Sequence, residues 1–455
     1  MTVFEASVSL AKVCVGSGIL ALPIAVERGG LIFSPICLCG IAYWNALAVD
    51  MMLDCKQVCV KRSSPPGVNS TYSRVAYGAY GWLGVNIADS CLIVTLLGVC
   101  VTYLITAAAM AQDVLGFEEE QRSIITWVIG VMLYPLCCAE DIQKLSGVNL
   151  VALFAILFGV LSLFWFGMSA YEEDVVNGSW GDNIYFPGSV ADFTYYVGVA
   201  SFCFGLCSVV FPVEESMNDR KELKTAVIWA LIFVVALYSL VGDGLYALYK
   251  FDERGVMGNI LQNLPVGSPA AFLVRSSIVG VCCLSFPFTF LPPAQMIEKY
   301  ITVSQSSAKV SYSSSRPDKS EYSKIPESDS AAKLDIVPPV APGRTLFSTF
   351  ALTRACLIGG ITLLATVVPC FGAVISLLGA FTVTLLTFVL PPLMHMELMK
   401  QDFKEKVSPS LEESNKLWWT VVKDVAATGL GTLLCIVGTI ITFYSVQDEI
   451  ASGTC

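Results

Sequence analysis

Long apolar blocks separated by short polar stretches dominate the hydropathy pattern of this 455-residue chain. Each block is about 18 to 30 residues long, which as a helix is enough to cross the ~30 Å hydrocarbon layer of a bilayer. The pattern therefore predicts an all-α membrane protein with about eleven transmembrane helices. Numbered in chain order, the predicted spans 1 to 11 are residues 5–27, 31–54, 84–112, 123–139, 146–170, 193–214, 224–249, 269–298, 347–368, 371–397 and 418–446.

The boundary between spans 9 and 10 is the least obvious, because residues 347–397 are almost continuously apolar. A single helix of that length would run to ~75 Å at 1.5 Å per residue, far more than a bilayer needs. Pro369 and Gly372 interrupt the run. We therefore place a turn at these two residues.

Composition supports the bilayer as a partner and argues against several other classes of protein. The chain is 55% hydrophobic and 14% charged, whereas soluble domains carry roughly 25% charged residues. The net charge is −10 and no basic groove is visible, so a nucleic acid is not an expected partner. A single histidine, His395, and the lack of paired Cys-x-x-Cys sites predict neither a metal centre nor another cofactor. Most of the seventeen cysteines lie in apolar blocks, where we expect small buried side chains.

Basic residues in the loops predict the orientation, since lysine and arginine favour the cytoplasmic side. They concentrate on the side of the N-terminus, while the opposite side holds few: Arg28, Arg122, Lys250, Arg254 and Arg275. We therefore expect a cytoplasmic N-terminus and, with an odd number of spans, a C-terminus on the other side.

Span 1 carries two glycines at its centre, in the segment VCVGSGILALP from Val13 to Pro23. Glycine costs ~1 kcal/mol in a helix interior, so Gly16 and Gly18 predict a break in a span that lipid would keep continuous. At such a break the first amides of the following half-helix are unpaired and carry a partial positive charge. They can therefore hold a substrate carboxylate near the bilayer midplane.

Span 6 repeats part of this pattern in the segment FCFGLCSVVFP. Aligned on span 1, it places Cys203, Gly205 and Pro212 at the offsets of the earlier cysteine, glycine and proline. Spans 1 and 6 start five helices apart and therefore run in opposite directions, which predicts an inverted five-plus-five repeat with one extra helix. Chance similarity, and glycines that serve only close helix packing, remain alternatives.

The chain accordingly divides into segments set by the spans. Residues 302–343 are rich in Ser, Pro and Lys and cannot bury enough apolar surface to fold alone, so we expect a disordered cytoplasmic linker. The segments are 1–170 (first repeat, spans 1 to 5), 171–192 (outer loop), 193–301 (spans 6 to 8), 302–343 (linker), 344–398 (spans 9 and 10) and 399–455 (span 11 and the C-terminal tail).

Several stretches resemble the amino acid/auxin permease family, within the amino acid, polyamine and organocation superfamily. They are KVCVGSGILALPIAVERGG in span 1, GVCVTYLI in span 3, VVFPVEESM in span 6, NILQNLP before span 8 and VPCFGAVISLLGAFTVTLLTFVLPPLMH across spans 9 and 10. The resemblance implies the broken-helix fold and secondary active transport of amino acids by alternating access. It implies residence in a plasma membrane or in a vacuolar or lysosomal membrane, and no enzymatic activity.

The resemblance also implies a substrate site, carried over by position. Amides of span 1 would hold the α-carboxylate, carbonyls of span 6 would accept from the α-ammonium, and aromatic rings would shape the side-chain pocket. The residues are Val15, Gly16, Ser17, Gly18 and Ile19 in span 1, Tyr103 in span 3, and Phe202, Phe204, Gly205 and Cys207 in span 6. Some proton-coupled relatives have a glutamate at the place of Gly205, so its absence here favours a neutral substrate.

Lys12 occupies a place where sodium-coupled relatives have an asparagine and several proton-coupled relatives have lysine. We therefore expect transport that is independent of sodium, with the proton as the candidate coupling ion and with Ser285 and Thr289 as the hydroxyls that would otherwise complete a sodium site. In the alternative, Lys12 extends to the membrane interface, and the protein is a sodium-coupled symporter. An amino-acid sensor that uses the same pocket is a further alternative.

Three other ionisable residues near span ends are candidates for gating or proton transfer. Glu214 and Glu215 close span 6, where pairing with Arg220 or Lys221 would form a gate and simple solvation is the alternative. His395 ends span 10 and has the chemistry for proton relay.

Overall fold

Helices make up all the regular secondary structure of the computed structural model in the residues that it describes. These residues are 1–60, 70–138, 147–174, 185–207, 210–252, 255–265, 267–313, 344–406 and 410–452. Most of the predicted linker, from residue 314 to 343, lies outside this set, as do residues 175–184 of the predicted outer loop.

Fourteen α-helices are present in the described part of the chain. Short 3₁₀ turns supplement them at Ser17–Ala21, Glu119–Gln121, Arg220–Glu222 and Ile260–Asn263. The α-helices are α1 (Val3–Cys14), α2 (Leu22–Gly29), α3 (Phe33–Val60), α4 (Thr71–Leu115), α5 (Arg122–Cys138), α6 (Gly147–Asp174), α7 (Val190–Cys203), α8 (Val210–Ser216), α9 (Leu223–Tyr249), α10 (Pro269–Ser313), α11 (Arg344–Val367), α12 (Phe371–Leu378), α13 (Leu390–Glu405) and α14 (Leu411–Ser452).

Each predicted span has a helical counterpart, which confirms the predicted all-α membrane fold. Seven described helices are long and apolar enough to cross a membrane, and the bent pair in span 1 makes an eighth. Shorter apolar helices occupy spans 4 and 5, and span 6 is divided between α7 and α8. The predicted turn between spans 9 and 10 lies between Val367 and Phe371, the ends of α11 and α12.

Two boundaries differ most from the predicted ones. The helix of span 3 begins at Thr71 rather than near residue 84, and it is kinked at Tyr80 and Gly81, where Gly81 has a φ of 60°. Its first turns are more polar than the rest, so hydropathy alone did not include them. The helix of span 8 continues through Ser313 and so includes the first residues of the predicted linker.

Spans 6 and 10 approach each other closely because small residues face each other at their contact. A Cβ atom on Gly379 would overlap the carbonyl oxygen of Gly198, and the Ser376 hydroxyl donates to the Tyr195 carbonyl at 3.0 Å. Helices in lipid associate largely through such close packing, since apolar side chains gain little by leaving an apolar solvent. The contact places span 6 firmly between span 10 and span 1.

A buried ion pair joins spans 8 and 9. Arg354 donates from Nε and Nη2 to the two carboxylate oxygens of Glu298 at 2.7 and 3.1 Å, and its Nη1 donates to the Cys137 carbonyl of span 4 at 3.1 Å. Both side chains are less than a tenth exposed. Paired guanidinium and carboxylate satisfy each other's charge and hydrogen bonds, so this contact ties three spans together.

Removing one partner of this pair should destabilise the protein. We expect Glu298→Gln to leave the Arg354 charge buried without its counter-ion, at a cost of about 3–5 kcal/mol, and to lower the melting temperature of the purified protein by several degrees. Glu413→Gln is the matched control: its pair with Lys406 is exposed, and although the hydrogen bond to Glu413 raises the pKa of Lys406, such pairs contribute little to stability. Equal melting temperatures for the two variants would contradict the expectation.

Candidate substrate site at two helix breaks

Span 1 is broken where the sequence predicted it. Helix α1 ends at Cys14, Gly16 has extended backbone angles (φ −118°, ψ −160°), and a 3₁₀ turn starts at Ser17. The segments Val3–Cys14 and Ser17–Gly29 are bent by 52°. Because helical hydrogen bonding restarts at this turn, the N–H groups of Ser17 and Gly18 have no acceptor within the helix.

Span 6 is broken at the equivalent place. Helix α7 ends at Cys203, residues 204–207 are not helical, and α8 begins at Val210. A tight turn follows the break, in which the Leu206 N–H donates to the Phe204 carbonyl at 2.6 Å. The helices before the two breaks therefore end at Cys14 and Cys203, the cysteines that the internal repeat aligns. This agreement between alignment and geometry favours a true inverted repeat over chance similarity.

The two breaks are in contact with each other. A Cβ atom on Gly18 would lie 2.8 Å from the Cys203 Sγ and 3.0 Å from the Phe202 Cδ1, so only glycine lets span 1 approach span 6 this closely. Gly16 and Gly205 are different. A Cβ atom on Gly16 would have nothing within 4 Å, and one on Gly205 would be 3.7 Å from its nearest neighbour, the Phe202 carbonyl oxygen. Open space therefore borders both breaks.

Tyr238 of span 7 holds the two breaks together, and sequence analysis did not single it out. Its buried hydroxyl lies 2.6 Å from the carbonyl oxygen of Cys14 and 3.0 Å from that of Cys203. A phenol has one proton to donate, so the two carbonyls share it. The ring of Phe204, a predicted pocket residue, packs edge-on against the Tyr238 ring at 5.3 Å and is fully buried. Phe204 thus positions Tyr238.

The structure brings three other predicted residues together between spans 3 and 8. The side chains of Tyr103 and Thr289 are close to each other, and the Thr289 hydroxyl donates to the Ser285 carbonyl at 3.3 Å. The remaining predicted pocket residues Ser17, Ile19 and Cys207 are buried beside the breaks. The predicted site residues therefore form two neighbouring groups, one at the breaks and one along spans 3 and 8.

Lys12 lies elsewhere. With Val15 it lines a cavity of about 800 Å³ between spans 1, 5 and 7, whose walls include Trp229 and Phe233. Neither Ser285 nor Thr289 lines that cavity. The lysine therefore faces a largely apolar crevice, on a different group of helices from the two hydroxyls.

Two ionic contacts near span ends differ from those predicted. Glu214 is 8% exposed and pairs with Lys56 of span 2 at 2.9 Å, so the expected pairing with Arg220 or Lys221, and solvation as its alternative, are both wrong for this residue. The His395 Nδ1 lies 2.8 Å from an oxygen of Asp424, a buried carboxylate of span 11. From the sequence, Asp424 could have been singled out only by its position inside an apolar block, because an ionisable residue there needs a partner.

A multi-pass α-helical chain with two opposed, broken helices whose breaks meet has the architecture of a membrane transporter. The chain belongs to a family described as transmembrane amino acid transporter proteins, which residues 1–444 match. This assignment confirms the resemblance noted in the sequence and the expectation of a transporter rather than an enzyme.

Relatives across the family are distant in sequence. Amino acid transporter ANT1 of Arabidopsis thaliana is 23% identical over 440 residues, which cover 95% of this chain and 90% of that protein. Vacuolar amino acid transporter 3 of Saccharomyces cerevisiae is 24% identical over 313 residues, covering 67% of this chain but only 43% of the yeast protein. Among solved structures, a manganese transporter of Eremococcus coleocola aligns over 97% of this chain and 95% of its own, with 12% identity and a TM-score of 0.41.

The Tyr238 hydroxyl should matter for substrate handling as well as for stability. Tyr238→Phe removes the side-chain donor that the Cys203 and Cys14 carbonyls share, although the Cys14 carbonyl still accepts from the Gly16 N–H at 2.8 Å. We therefore expect the KM for uptake to rise about tenfold. Tyr249→Phe is the control, because on the same span it also loses a buried hydroxyl, which donates to the Leu163 carbonyl at 2.8 Å. Both variants should lose stability, but only Tyr238→Phe should change the KM; equal KM values would show that the hydroxyl is purely structural.

Proposed function

We propose that the protein is a secondary active transporter that binds a neutral amino acid between the two breaks and moves it by alternating access. The observation that carries this proposal is the contact between the breaks, which are joined at Tyr238 and bordered by open space at Gly16 and Gly205. Uptake of a panel of labelled amino acids into proteoliposomes tests it directly.

Peptide groups at the breaks have the chemistry to bind a zwitterion. The free N–H groups of Ser17 and Gly18 begin a helical segment that continues to Gly29, so its partial positive charge faces the break and suits an α-carboxylate. Near the end of α7, the Phe202 carbonyl oxygen lies 3.7 Å from the Cβ position of Gly205, beside the open space, and suits an α-ammonium. Phe202, which contacts Gly18, and Tyr103 would bound the side chain of the substrate.

A neutral substrate follows from the absence of charged side chains in both broken segments. Residues 13–23 and 202–212 contain no aspartate, glutamate, lysine or arginine. A second charge on the substrate would therefore have no counter-ion at the breaks, and leaving it unpaired in a low-dielectric site is costly. The space beside Gly205 also suits a side chain of some size.

Sodium independence, with proton coupling, is the ion dependence that we propose. Lys12 lies on α1 one turn before the break but faces the crevice between spans 1, 5 and 7. Its support for this proposal is therefore the resemblance to proton-coupled relatives, several of which have lysine at this place. The Thr289 hydroxyl donates to the Ser285 carbonyl at 3.3 Å, so both oxygens already take part in a hydrogen bond of span 8. A sodium-coupled symporter would need those oxygens for the ion, and an amino-acid sensor would bind substrate without net flux.

We propose further that the N-terminus is cytoplasmic and that the protein resides in a plasma membrane or a vacuolar or lysosomal one. The loop charges support this orientation. Cys370, in the turn on the opposite side of the membrane, is disulfide-bonded, which fits an oxidising compartment there.

Filling the space at the breaks should abolish transport without unfolding the protein. In Gly205→Leu the new side chain enters space that we assign to the substrate, so we expect uptake to fall at least tenfold while the melting temperature changes little. Gly360→Leu is the matched control, because a Cβ atom there also meets nothing within 4 Å but the residue is exposed on the outer face of span 9. Unchanged uptake in Gly205→Leu would place the substrate elsewhere.

The dependence of uptake on sodium and its dependence on protons can be measured separately in the same proteoliposomes. With the wild-type protein we expect uptake to persist when choline replaces sodium at constant pH, and to increase when an inward proton gradient is imposed. The reason for this expectation is the lysine at position 12, which several proton-coupled relatives share and for which sodium-coupled relatives have an asparagine. Uptake that collapses in choline would establish sodium coupling instead.

A further inference from the structure

The cavity of about 800 Å³ between spans 1, 5 and 7, which we call the span 1 crevice, runs along the whole of α1. Its wall extends from Val3, the first residue of that helix, to Val15, just after its last. Twelve residues of helix rise by about 18 Å, and one leaflet contributes ~15 Å of hydrocarbon. Since span 1 breaks near its midpoint, the crevice extends from the middle of the membrane to one of its surfaces.

Apolar side chains make up almost all of the wall, and the crevice opens to the side of the helix bundle. Phe4, Trp229 and Phe233 line it, and each is more than half exposed. On membrane-spanning helices such exposed rings face acyl chains. An apolar cavity does not hold ordered water, because water needs several polar partners. Lipid is therefore the component of the membrane that can fill the crevice.

Lys12 is the one charged residue among the described residues of the wall, and it is half-buried. Its ammonium forms no ion pair or hydrogen bond with the part of the chain that the structure describes. Glu5, the acid of α1, instead accepts from the Thr2 N–H at 2.9 Å at the other end of the helix. The C-terminus of a helix offers roughly half a negative charge. The lysine charge is therefore incompletely balanced in an apolar surrounding, and an anion from the lipid would balance it.

The depth of Lys12 suits contact with a lipid headgroup. Its Cα lies four residues, or about 6 Å of helix, from Gly16 at the break. Helical side chains tilt toward the N-terminus of their helix, which here is the direction of the membrane surface. An extended four-carbon lysine stem adds roughly 6 Å along the apolar wall. The ammonium can therefore approach phosphates that lie just outside the ~15 Å of hydrocarbon.

Trp229 adds a polar group in the same leaflet. It lies six residues after Leu223, the first residue of α9, and so near the membrane surface. Its indole N–H makes no hydrogen bond within the described part of the chain. Tryptophan is enriched at membrane surfaces because its ring packs against apolar groups while its N–H donates to polar ones. This N–H is therefore a donor for an ester carbonyl of a lipid.

We propose that the span 1 crevice binds an anionic phospholipid of the leaflet that α1 crosses, with its phosphate paired to Lys12 and its acyl chains packed against Trp229 and Phe233. Charge complementarity selects the headgroup, because a zwitterionic lipid carries its own cation beside the phosphate and competes with Lys12. A bound lipid would fill the gap beside α1 and so stabilise the folded protein. The inference goes beyond the proposed function and does not rest on it.

Lipid retention by the full-length protein tests the site. Purified protein is incubated in detergent with equal amounts of phosphatidylglycerol and phosphatidylcholine of identical acyl chains, and bound lipids are counted by native mass spectrometry. We expect the wild type to retain phosphatidylglycerol preferentially, and Lys12→Gln to lower that retention about fivefold. Lys12→Arg keeps the charge and should keep the preference.

Matched variants control for charge and for apolar area. Lys423→Gln removes an exposed lysine of span 11 that does not line the crevice, and it should retain phosphatidylglycerol as the wild type does. Phe233 and Ile232 are neighbours on span 7 and are 57% and 56% exposed, but only Phe233 lines the crevice. Phe233→Ala should therefore weaken retention of both lipids, and Ile232→Ala of neither.

Equal retention of phosphatidylglycerol by the wild type and Lys12→Gln, or an equal loss in Lys423→Gln, would overturn the site. Equal retention of the two lipids by the wild type would show that apolar packing alone selects the lipid and that the anionic assignment is wrong. As a second measurement, phosphatidylglycerol should raise the melting temperature of the wild type more than that of Lys12→Gln. Neither measurement involves amino-acid uptake, so failure here leaves the proposed function intact, and a lack of uptake leaves the lipid site intact.

Discussion

The structure depends on how two broken helices satisfy their peptide groups inside a membrane, where water is not available to do so. The final carbonyls before the breaks, those of Cys14 and Cys203, lie 2.6 and 3.0 Å from one buried hydroxyl, that of Tyr238. An unpaired carbonyl in an apolar medium would cost on the order of 1–3 kcal/mol. One side chain of span 7 therefore makes it less costly for spans 1 and 6 to end their helices at the same place.

Close packing of small residues, together with salt bridges, then keeps the two breaks next to each other. Gly18 permits contact between spans 1 and 6, and Gly198 and Gly379 permit contact between spans 6 and 10, so span 6 is confined on two sides. The pair Arg354–Glu298 fixes spans 8 and 9 to each other. Lys56 and Glu214 link span 2 to α8. Span 6 is thus fixed at its break by the close packing of glycines and at its C-terminal end by a salt bridge.

Much of the fold could be predicted because lipid imposes simple rules on the sequence. Block length predicts the spans, and Gly16, Gly18 and Gly205 predict the breaks, since glycine is costly in a helix interior. Tyr238 could not be found this way, because an aromatic residue in a span usually packs and its hydroxyl partners are 224 and 35 residues away. The partner of Glu214 was missed for the same reason: Lys56 is 158 residues away, whereas Arg220 and Lys221 are near in sequence only. Local patterns predict where a helix ends, and tertiary contacts decide what its end groups bind.

Because two carbonyls share one hydroxyl, the hydrogen bonds at the ends of α1 and α7 are coupled. A phenol donates one proton, so a full-strength hydrogen bond to Cys14 weakens the bond to Cys203, and the reverse. If α1 moved away from Tyr238, the hydrogen bond to the Cys203 carbonyl at the end of α7 would therefore become stronger. In an inverted repeat, α1 and α7 lie in opposite halves of the membrane. Alternating access requires that one half-site opens while the other stays closed. The half-helices that end at Cys14 and Cys203 share a single side-chain donor, so a hydrogen bond lost by one of them would be available to the other.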